Sequence, residues 1–332
     1  MPKPKRKIFF DERWIGAHGI GRVAKEINSS ISPEPLKLPF SPVSILDPIL
    51  FFIKTCFLPS NAIVFSPGYN APLFKVRPFI FIVHDLNHFD RAENSSFLKK
   101  LYYQIILKRA CLFADKILTV SEFSKNRIIQ WSGVESKKVV NISNGVDTNF
   151  NLDGKVDKPN STYLLCVSNR KPHKNEDRLI AAFSKADIDH NIHLFLTGES
   201  NEQKQTLITN LKIEHRVKFT GRVAEADLPN LYKGALALVF PSLYEGFGLP
   251  VIEAMACGTP VLTSNTSSLP EITNDAALLV NPDSELEIKA GIEKIANSEV
   301  YRNELINKGL LQAKKYSWEE VMKKINYVLN KI

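Results

Sequence analysis

The 332-residue sequence predicts an α/β protein with two doubly wound domains, each built on a parallel sheet covered by helices. Short apolar runs, typical of strands that are buried on both faces, alternate with longer amphipathic segments along the whole chain. The stretch 148–161 is rich in Asn, Asp, Gly, Pro and Lys and is typical of an interdomain linker. We therefore expect domains at 1–150 and 151–316, followed by a terminal helix at 317–332.

The composition narrows the classes of function. Hydrophobic residues make up 44% and charged residues 23% of the chain, values typical of soluble globular proteins. The net charge of +8, from 43 basic and 35 acidic residues, favours anionic partners such as phosphates or anionic lipid. The basic residues are scattered and no motif that reads nucleic acid occurs, so we expect no nucleic-acid partner. The four cysteines lie far apart in apolar segments, which indicates reduced core residues rather than disulfides or metal ligands.

The sequence also bears on membranes. The residues MPKPKRKIFF are basic but lack the apolar run of a signal peptide, and the stretch Ile45–Leu58 is too interrupted and too short to span a bilayer. We expect a cytoplasmic protein that lies at most on an anionic membrane surface. The residues that suggest membrane contact are Lys3, Lys5, Arg6, Lys7 and the apolar run Leu50–Phe52. The alternative is that the basic residues are a solvated tail and that the apolar run belongs to a helix in the core.

In the first domain the pattern predicts strands at Ile8–Asp11, Ala62–Phe65, Phe79–Val83, Lys116–Val120 and Val139–Ile142. It predicts helices from about Ile20, over Val43–Cys56, over Ser96–Phe113 and from an N-cap at Ser121 to Gly133. The strand Phe79–Val83 is followed by His84, and polar residues at the carboxyl end of a parallel strand are where ligands bind. His84 is therefore a candidate site residue, although a buried histidine with a purely structural role is the alternative.

In the second domain the expected strands are Tyr163–Val167, Ile192–Leu196, Val217–Phe219, Ala235–Phe240, Val261–Thr263 and Ala277–Val280. A helix is expected over Val251–Cys257, and Pro250 directly before it suits the first helical position. The other expected helices are Ser284–Ser298, Glu299–Tyr316 and a last helix capped by Ser317. Asp187 and Asp189 resemble a metal-binding motif, but their position between a helix and a strand is more typical of a surface connection.

The stretch 241–264 carries most of the chemistry. A loop with Glu245, Gly246 and Gly248 leads into the start of a helix, where backbone N–H groups and the helix dipole favour an anion. Glu253 lies in the first turn; it either complements the dipole or, with Glu245, accepts hydrogen bonds from ligand hydroxyls. A polyhydroxylated ligand that carries phosphate would explain the glycines, the helix start and both carboxylates.

Basic residues follow the first strand of the second domain, in the segment Ser168–Asn175. Arg170 and Lys174 are either part of a solvated turn or a clamp for a diphosphate. Gly198 and the pair Gly221-Arg222 end neighbouring strands and are candidates for the same pocket.

Residues 241–264 resemble the donor-binding signature of the retaining GT-B glycosyltransferases of family 4, in which two glutamates are separated by seven residues, as Glu245 and Glu253 are. The resemblance covers most of the chain. It implies two Rossmann-like domains that face each other across a cleft, with the terminal helix crossing back onto the first domain. It also implies transfer of a hexose from a nucleotide diphosphate sugar to a glycan or lipid-linked glycan, with retention of configuration and without a metal or cofactor.

The resemblance assigns roles to the candidates, although His18 stands where the family has a glycine. The implied catalytic residues are His84, Glu245, Arg170 and Lys174. The implied donor-binding residues are Gly19, Gly21, Ser168, Arg170, Lys174, Gly198, Arg222, Glu245, Gly246, Phe247, Gly248, Leu249 and Glu253.

The segments NRKPHKN and EGFGLP resemble bacterial mannosyltransferases of surface-polysaccharide assembly, which favours GDP-mannose as the donor. Two alternatives remain open. One is a nucleotide-sugar epimerase or hydrolase of the same fold, and the other is an inactive subunit that binds a sugar nucleotide.

Overall fold

The computed structural model describes residues 6–16, 19–153 and 161–332. It divides into an N-terminal unit, Met1–Gly145 with Trp318–Ile332, and a C-terminal unit, Val146–Ser317. The predictions that concern Lys3, Lys5, His18 and linker residues 154–160 lie outside the described residues.

The N-terminal unit is built on a six-stranded parallel sheet in the order β2-β1-β3-β4-β5-β6. Its strands are β1 Lys7–Phe10, β2 Glu34–Pro35, β3 Ala62–Ser66, β4 Phe79–Ile82, β5 Lys116–Thr119 and β6 Val139–Asn141. β3 and β4 are buried throughout, as expected of central strands that carry helices on both faces.

The helices up to residue 145 cover this sheet. They are α1 Gly19–Ile31, α2 Asp47–Cys56, α3 Asn87–Asp90, α4 Phe97–Tyr102, α5 Lys108–Phe113 and α6 Glu122–Ser132. A π-helical segment, Tyr103–Leu107, joins α4 to α5, and 3₁₀ turns lie at Glu12–Trp14, Ala92–Asn94 and Ser136–Lys138. The predicted cap is confirmed, because the Ser121 hydroxyl accepts a hydrogen bond from the backbone N–H of Ser124.

The C-terminal unit has a second six-stranded parallel sheet, in the order β12-β11-β10-β7-β8-β9. Its strands are β7 Tyr163–Cys166, β8 His193–Leu196, β9 Val217–Phe219, β10 Ala237–Phe240, β11 Val261–Ser264 and β12 Leu278–Val280. Its helices are α7 Glu176–Ser184, α8 Glu202–Asn210, α9 Leu228–Gly234, α10 Leu249–Ala256, α11 Leu269–Thr273, α12 Glu285–Asn297 and α13 Glu299–Ala313, with a 3₁₀ turn at Pro172–Lys174.

The last helix, α14 Trp318–Asn330, belongs to the N-terminal unit. Val321, Ile325 and Val328 are buried in one apolar cluster with Val23 and Ile27 of α1. Because these positions lie on one helical face, the amphipathic pattern of the terminal segment is satisfied by the first sheet's core.

The strand order locates a switch point in each sheet. In the C-terminal unit the chain builds outward from β7 through β8 and β9, and then returns to place β10 on the other side of β7. The N-terminal sheet reverses in the same way between β1 and β3. The crevice outside the carboxyl ends of two such strands is the usual ligand site in open α/β sheets.

Several elements depart from the predictions. The helix that was expected over Val43–Cys56 begins at Asp47, because Pro48 suits the first turn of a helix and not its interior. Its run Leu50–Phe52 is not one exposed patch, since Phe51 is fully buried while its neighbours are partly exposed. Among the described residues, no helix combines the length and the hydropathy needed to cross a membrane.

Candidate functional site

The switch point of the C-terminal sheet brings together the turn after β7 and the loop after β10. The carbonyl oxygen of His173 accepts hydrogen bonds from the Leu243 backbone N–H at 2.7 Å and from the Ser242 hydroxyl at 3.0 Å. The Asn175 amide donates to the carbonyl oxygen of Pro241 at 3.0 Å. These bonds fix the two segments side by side, although they are about seventy positions apart in the sequence.

Lys174 and Glu245 form an ion pair at this junction. The Lys174 Nζ lies 2.7 Å from Glu245 Oε1, and each side chain is 12% exposed. The ammonium group also lies 4.8 Å from the centroid of the Phe240 ring. An amine and a carboxylate therefore stand together in a largely buried position at the edge of the sheet, each with the capacity to bind a ligand of opposite charge or a hydroxyl group.

The loop that contains Glu245 is shaped by Gly248 and by the Ser268 side chain. Gly248 has a φ of 101°, and a Cβ there would lie 2.7 Å from Leu269 Cδ2. The Ser268 hydroxyl lies 3.0 Å from the carbonyl oxygens of both Glu245 and Phe247. The loop thus enters α10 in a conformation that favours glycine, with Leu249 rather than the predicted Pro250 as the first helical residue.

Glu253 is almost completely buried, at 2% exposure. The Tyr232 hydroxyl, on α9, donates to Glu253 Oε2 at 2.9 Å. The prediction that Glu253 lies in the first turn is wrong, because α10 begins at Leu249 and has no acidic residue in its first turn. Its burial and its tyrosine partner therefore favour a carboxylate that is held in a defined orientation over one that complements the macrodipole.

Arg170 is the second cation of this turn, and its guanidinium is engaged by the protein itself. It binds the buried Glu176 carboxylate, and it donates to the carbonyl oxygens of Thr197 at 2.6 Å, Gly198 at 3.1 Å and Glu199 at 2.9 Å. Its backbone has a φ of 63°, which is strained for a residue other than glycine. These contacts hold the turn after β7 against the turn after β8.

The remaining candidates of the C-terminal unit line neighbouring strand ends. The Ser168 backbone N–H donates to Thr197 Oγ1 at 2.9 Å, and the Gly198 N–H donates to the Gly221 carbonyl oxygen at 2.8 Å. Arg222 is exposed beside this pair of glycines. The Phe247 side chain is buried and packs against Tyr316, with ring centroids 5.4 Å apart.

The N-terminal unit holds the other candidates. His84 is buried after β4, and its Nε2 lies 2.9 Å from the carbonyl oxygen of Pro67. Gly19 is the first residue of α1, and a Cβ at Gly21 would lie 2.4 Å from the carbonyl oxygen of Gly16. Gly21 is therefore required for this close backbone approach, which is a structural role in addition to the predicted one.

A charged network at the switch point of the first sheet was missed by the sequence analysis. Arg13 binds two buried carboxylates, Asp11 and Asp47, and the Trp14 indole N–H donates to Asn70 Oδ1 at 2.8 Å. Burial raises the pKa of Asp47, although its bonds to Arg13 and Asn70 oppose that shift. Burial lowers the pKa of Arg13, but the hydrogen bonds that it donates to both carboxylates and the attraction of their negative charges together raise it by more, so the guanidinium stays charged. The only indication of this network in the sequence was an Asp and an Arg two positions apart at the end of the first strand.

Asp187 and Asp189 have local structural roles. The backbone N–H of Asp187 donates to Glu293, and Asp189 Oδ1 accepts from the backbone N–H of Asn191 at 2.9 Å. Across the described ranges, no group of three His, Cys, Asp or Glu side chains is arranged to hold a metal ion.

The chain has two parallel sheets, and a cation, a carboxylate and the start of a helix lie together at the switch point of the C-terminal sheet. These features define the class of protein, which the solved structures identify. The solved structure of Anabaena Alr3699/HepE in complex with UDP-glucose has a TM-score of 0.78 to this chain, at 19% identity over 98% of this chain and 100% of that one. The likeness confirms the predicted GT-B fold of glycosyltransferases.

Two sequence families match successive parts of the chain. "Glycosyltransferase Family 4" matches residues 60–150, and "Glycosyl transferases group 1" matches residues 149–312. The chain is 30% identical to O-antigen chain mannosyltransferase B of Escherichia coli over 269 residues, 76% of this chain and 71% of that protein. It is 31% identical to O-antigen chain mannosyltransferase RfbU of Salmonella typhimurium over 265 residues, 77% of this chain and 73% of that protein. The chain therefore belongs to the family 4, group 1 glycosyltransferases.

Proposed function

We propose that this protein transfers a hexose, mannose in particular, from a nucleotide diphosphate sugar to a glycan or lipid-linked glycan, with retention of configuration. The observation that carries the proposal is the Lys174–Glu245 pair at the switch point of the C-terminal sheet, beside the start of α10. A cation, a hydroxyl acceptor and a helix N-terminus within one loop pair suit a phosphorylated sugar.

We assign donor binding to the C-terminal unit. Lys174 and the backbone of Phe247–Leu249 bind the diphosphate, and Glu245 accepts hydrogen bonds from the hexose hydroxyls. Glu253 binds the ribose, with Tyr232 fixing its carboxylate. We assign the remaining donor contacts to Ser168, Gly198, Arg222, Gly246 and Gly248.

The demanding step is departure of the diphosphate, because negative charge grows on the oxygen that leaves the sugar. Lys174 and the amino-terminal end of α10 stabilise that charge, at about 2.7–4 kcal/mol for one well-placed donor. Arg170 contributes less to this stabilisation, because its guanidinium is already neutralised by the Glu176 carboxylate and bound by backbone carbonyls. Such fixed cations supply the charge that a metal ion provides in other enzymes, so we expect neither a metal nor a cofactor to be needed.

We assign acceptor binding to the N-terminal unit. His84 is its candidate catalytic residue, and Gly19 and Gly21 are its candidates for backbone contact with the donor.

The choice of mannose is supported by the names of the O-antigen mannosyltransferases of Escherichia coli and Salmonella typhimurium. GDP-mannose is the donor that the NRKPHKN and EGFGLP segments favour, whereas the HepE structure contains UDP-glucose. A lipid-linked acceptor would place the protein on the cytoplasmic face of an anionic membrane.

The experiment compares GDP-mannose, GDP-glucose, UDP-glucose and UDP-galactose, each with and without a mannose-containing glycan acceptor. We expect GDP-mannose to be preferred, with sugar transfer only when acceptor is present and with the donor's anomeric configuration in the product, read from one-bond C–H couplings; preference for another donor would refute the assignment of mannose. Donor at one hundred times its Kd should also stabilise the protein by about 2.7 kcal/mol. Donor consumption without acceptor would favour the hydrolase or epimerase, stabilisation without turnover would favour an inactive subunit, and an inverted product would refute retention.

A further inference from the structure

The segment from α4 to α5 exposes an apolar stripe on the N-terminal unit. Phe97 is 78% and Leu98 65% exposed, and Leu101, Ile105 and Leu112 continue the same exposed face. The opposite face is buried through Tyr103, Leu107, Ala110 and Cys111. A helix on a protein surface normally has polar residues on its outer face, so this apolar outer stripe calls for an explanation.

The charged side chains within this segment are all positive. Residues 97–113 contain Lys99, Lys100, Lys108 and Arg109 and no Asp or Glu. Lys99, Lys100 and Arg109 are exposed, and Lys108 is partly exposed. The combination of apolar and basic side chains on one outer face is typical of helices that lie in the interface of an anionic membrane.

Contacts between side chains extend the face to α2. The Arg109 guanidinium lies 4.6 Å from the centroid of the Phe74 ring, and the Phe74 ring lies 5.4 Å from that of Phe52 on α2. On α2 the exposed side chains include Ile49 and Ile53, and Phe57, directly after the helix, is 82% exposed. The apolar surface is therefore continuous from α5 across Phe74 to the end of α2.

The charge of α2 agrees with that of α4 and α5. Its one acidic residue, Asp47, is buried and bound to Arg13, while Lys54 is partly exposed. The residues before α2 add three exposed apolar side chains, Val43, Ile45 and Leu46. Residues 43–57, Phe74 and 97–112 together form what we call the basic apolar face.

We propose that the basic apolar face is the surface by which this protein docks on an anionic lipid membrane. The apolar side chains enter the boundary between headgroups and acyl chains, and the lysines contact the lipid phosphates. A second copy of the chain is a poorer occupant, because a symmetric contact would bring the same cations together. Two residues of the sequence-based hypothesis, Lys7 and Phe51, are not part of this face. Lys7 pairs with Glu34 at 2.8 Å, and Phe51 is buried.

The inference extends the membrane association within the proposed function, and its test does not use the transferase reaction. The full chain is sedimented with vesicles of phosphatidylcholine alone and with vesicles of phosphatidylcholine and phosphatidylglycerol at seven to three, at low and high salt. We expect recovery only with the anionic vesicles and loss of binding at high salt, because exposed charges are screened.

Two variants locate the surface. Lys99→Ser with Lys100→Ser removes charge, and Leu98→Ser with Leu101→Ser removes apolar contact. We expect each pair to weaken binding on the order of tenfold. Two controls match them on other surfaces: Lys323→Ser with Lys324→Ser on α14, and Leu286→Ser with Val300→Ser in the C-terminal unit, whose side chains are also exposed. The controls should bind as the wild type does.

Three results would overturn the proposal: equal recovery of the wild type with both kinds of vesicle, equal loss in the variants and their controls, or no loss in either variant. Sedimentation velocity tests the alternative that a second copy of the chain covers this face. A wild-type dimer that dissociates in the Leu98→Ser, Leu101→Ser variant would identify a protein interface. Because binding is measured without donor, any of these failures leaves the transferase proposal intact.

Discussion

The Lys174–Glu245 pair provides the sharpest test of the site. We consider Lys174→Met, Glu245→Gln and the double variant, each measured without ligand. The two groups are 2.7 Å apart and 12% exposed, so their bond is a charged hydrogen bond in a largely desolvated position. Such bonds contribute about 1.5–3 kcal/mol, and we expect a coupling energy in this range from the double-mutant cycle.

The control is the Lys185–Glu285 pair, which has the same 2.7 Å distance but exposures of 60% and 38%. Solvent screening should reduce its coupling to less than about 1 kcal/mol. Unfolding in urea is followed by circular dichroism, which reports both units. Tryptophan fluorescence serves as an internal reference, because Trp14, Trp131 and Trp318 all belong to the N-terminal unit.

Saturating nucleoside diphosphate should then reduce the measured Lys174–Glu245 coupling, because a phosphate oxygen competes with Glu245 for the ammonium group. Additivity of the two single variants within about 0.5 kcal/mol would refute the ion pair. A coupling that the nucleotide leaves unchanged would refute the assignment of Lys174 to the diphosphate, and would leave the pair as a structural feature.

Four further predictions concern other parts of the chain. Tyr232→Phe should cost about 1–3 kcal/mol of unfolding free energy and weaken nucleotide binding in calorimetry, because Glu253 loses a buried donor; unchanged affinity would contradict the role of Glu253. Gly21→Ala should lower the free energy of unfolding, measured in urea by tryptophan fluorescence, by about 1–3 kcal/mol, since its Cβ meets Gly16; a free energy equal to that of the wild type would contradict the contact. Transfer activity should survive EDTA, and loss that Mg²⁺ restores would argue for a metal. At pH 8, Ellman's reagent should modify the exposed Cys56 alone. Burial raises the pKa of the other three thiols, and that of Cys257 rises to about 12. Rapid modification of two or more thiols would contradict the burial of those three.

All of the strands except Glu34–Pro35 were predictable, because they are apolar-rich runs with a polar boundary. The predicted strand Tyr163–Val167 exceeds the observed β7 by one residue, and Val217–Phe219 matches β9 without change. The sequence predicted one ligand site for Lys174 and Glu245 but not their ion pair, which agrees with the rule that the carboxyl ends of parallel strands share one edge.

Other features have no local signature. The two-residue strand Glu34–Pro35 lacks an apolar run, and the π-helical segment Tyr103–Leu107 has an ordinary helical sequence. The ion pair between Arg13 and Asp47 joins positions 34 residues apart, so it depends on the tertiary fold. Pro48 did mark the start of α2, and weighing it would have corrected that boundary.

The membership of α14 in the N-terminal unit has a consequence for synthesis on the ribosome. The α1 face that carries Val23 and Ile27 is completed only by residues that follow the entire C-terminal unit. At translation rates of about 5–20 residues per second, the first sheet waits on the order of ten seconds with an apolar face uncovered. The nascent first half is thus the species that chaperones should recognise, and a stop codon just before Trp318 should yield a protein that aggregates although its second unit is complete.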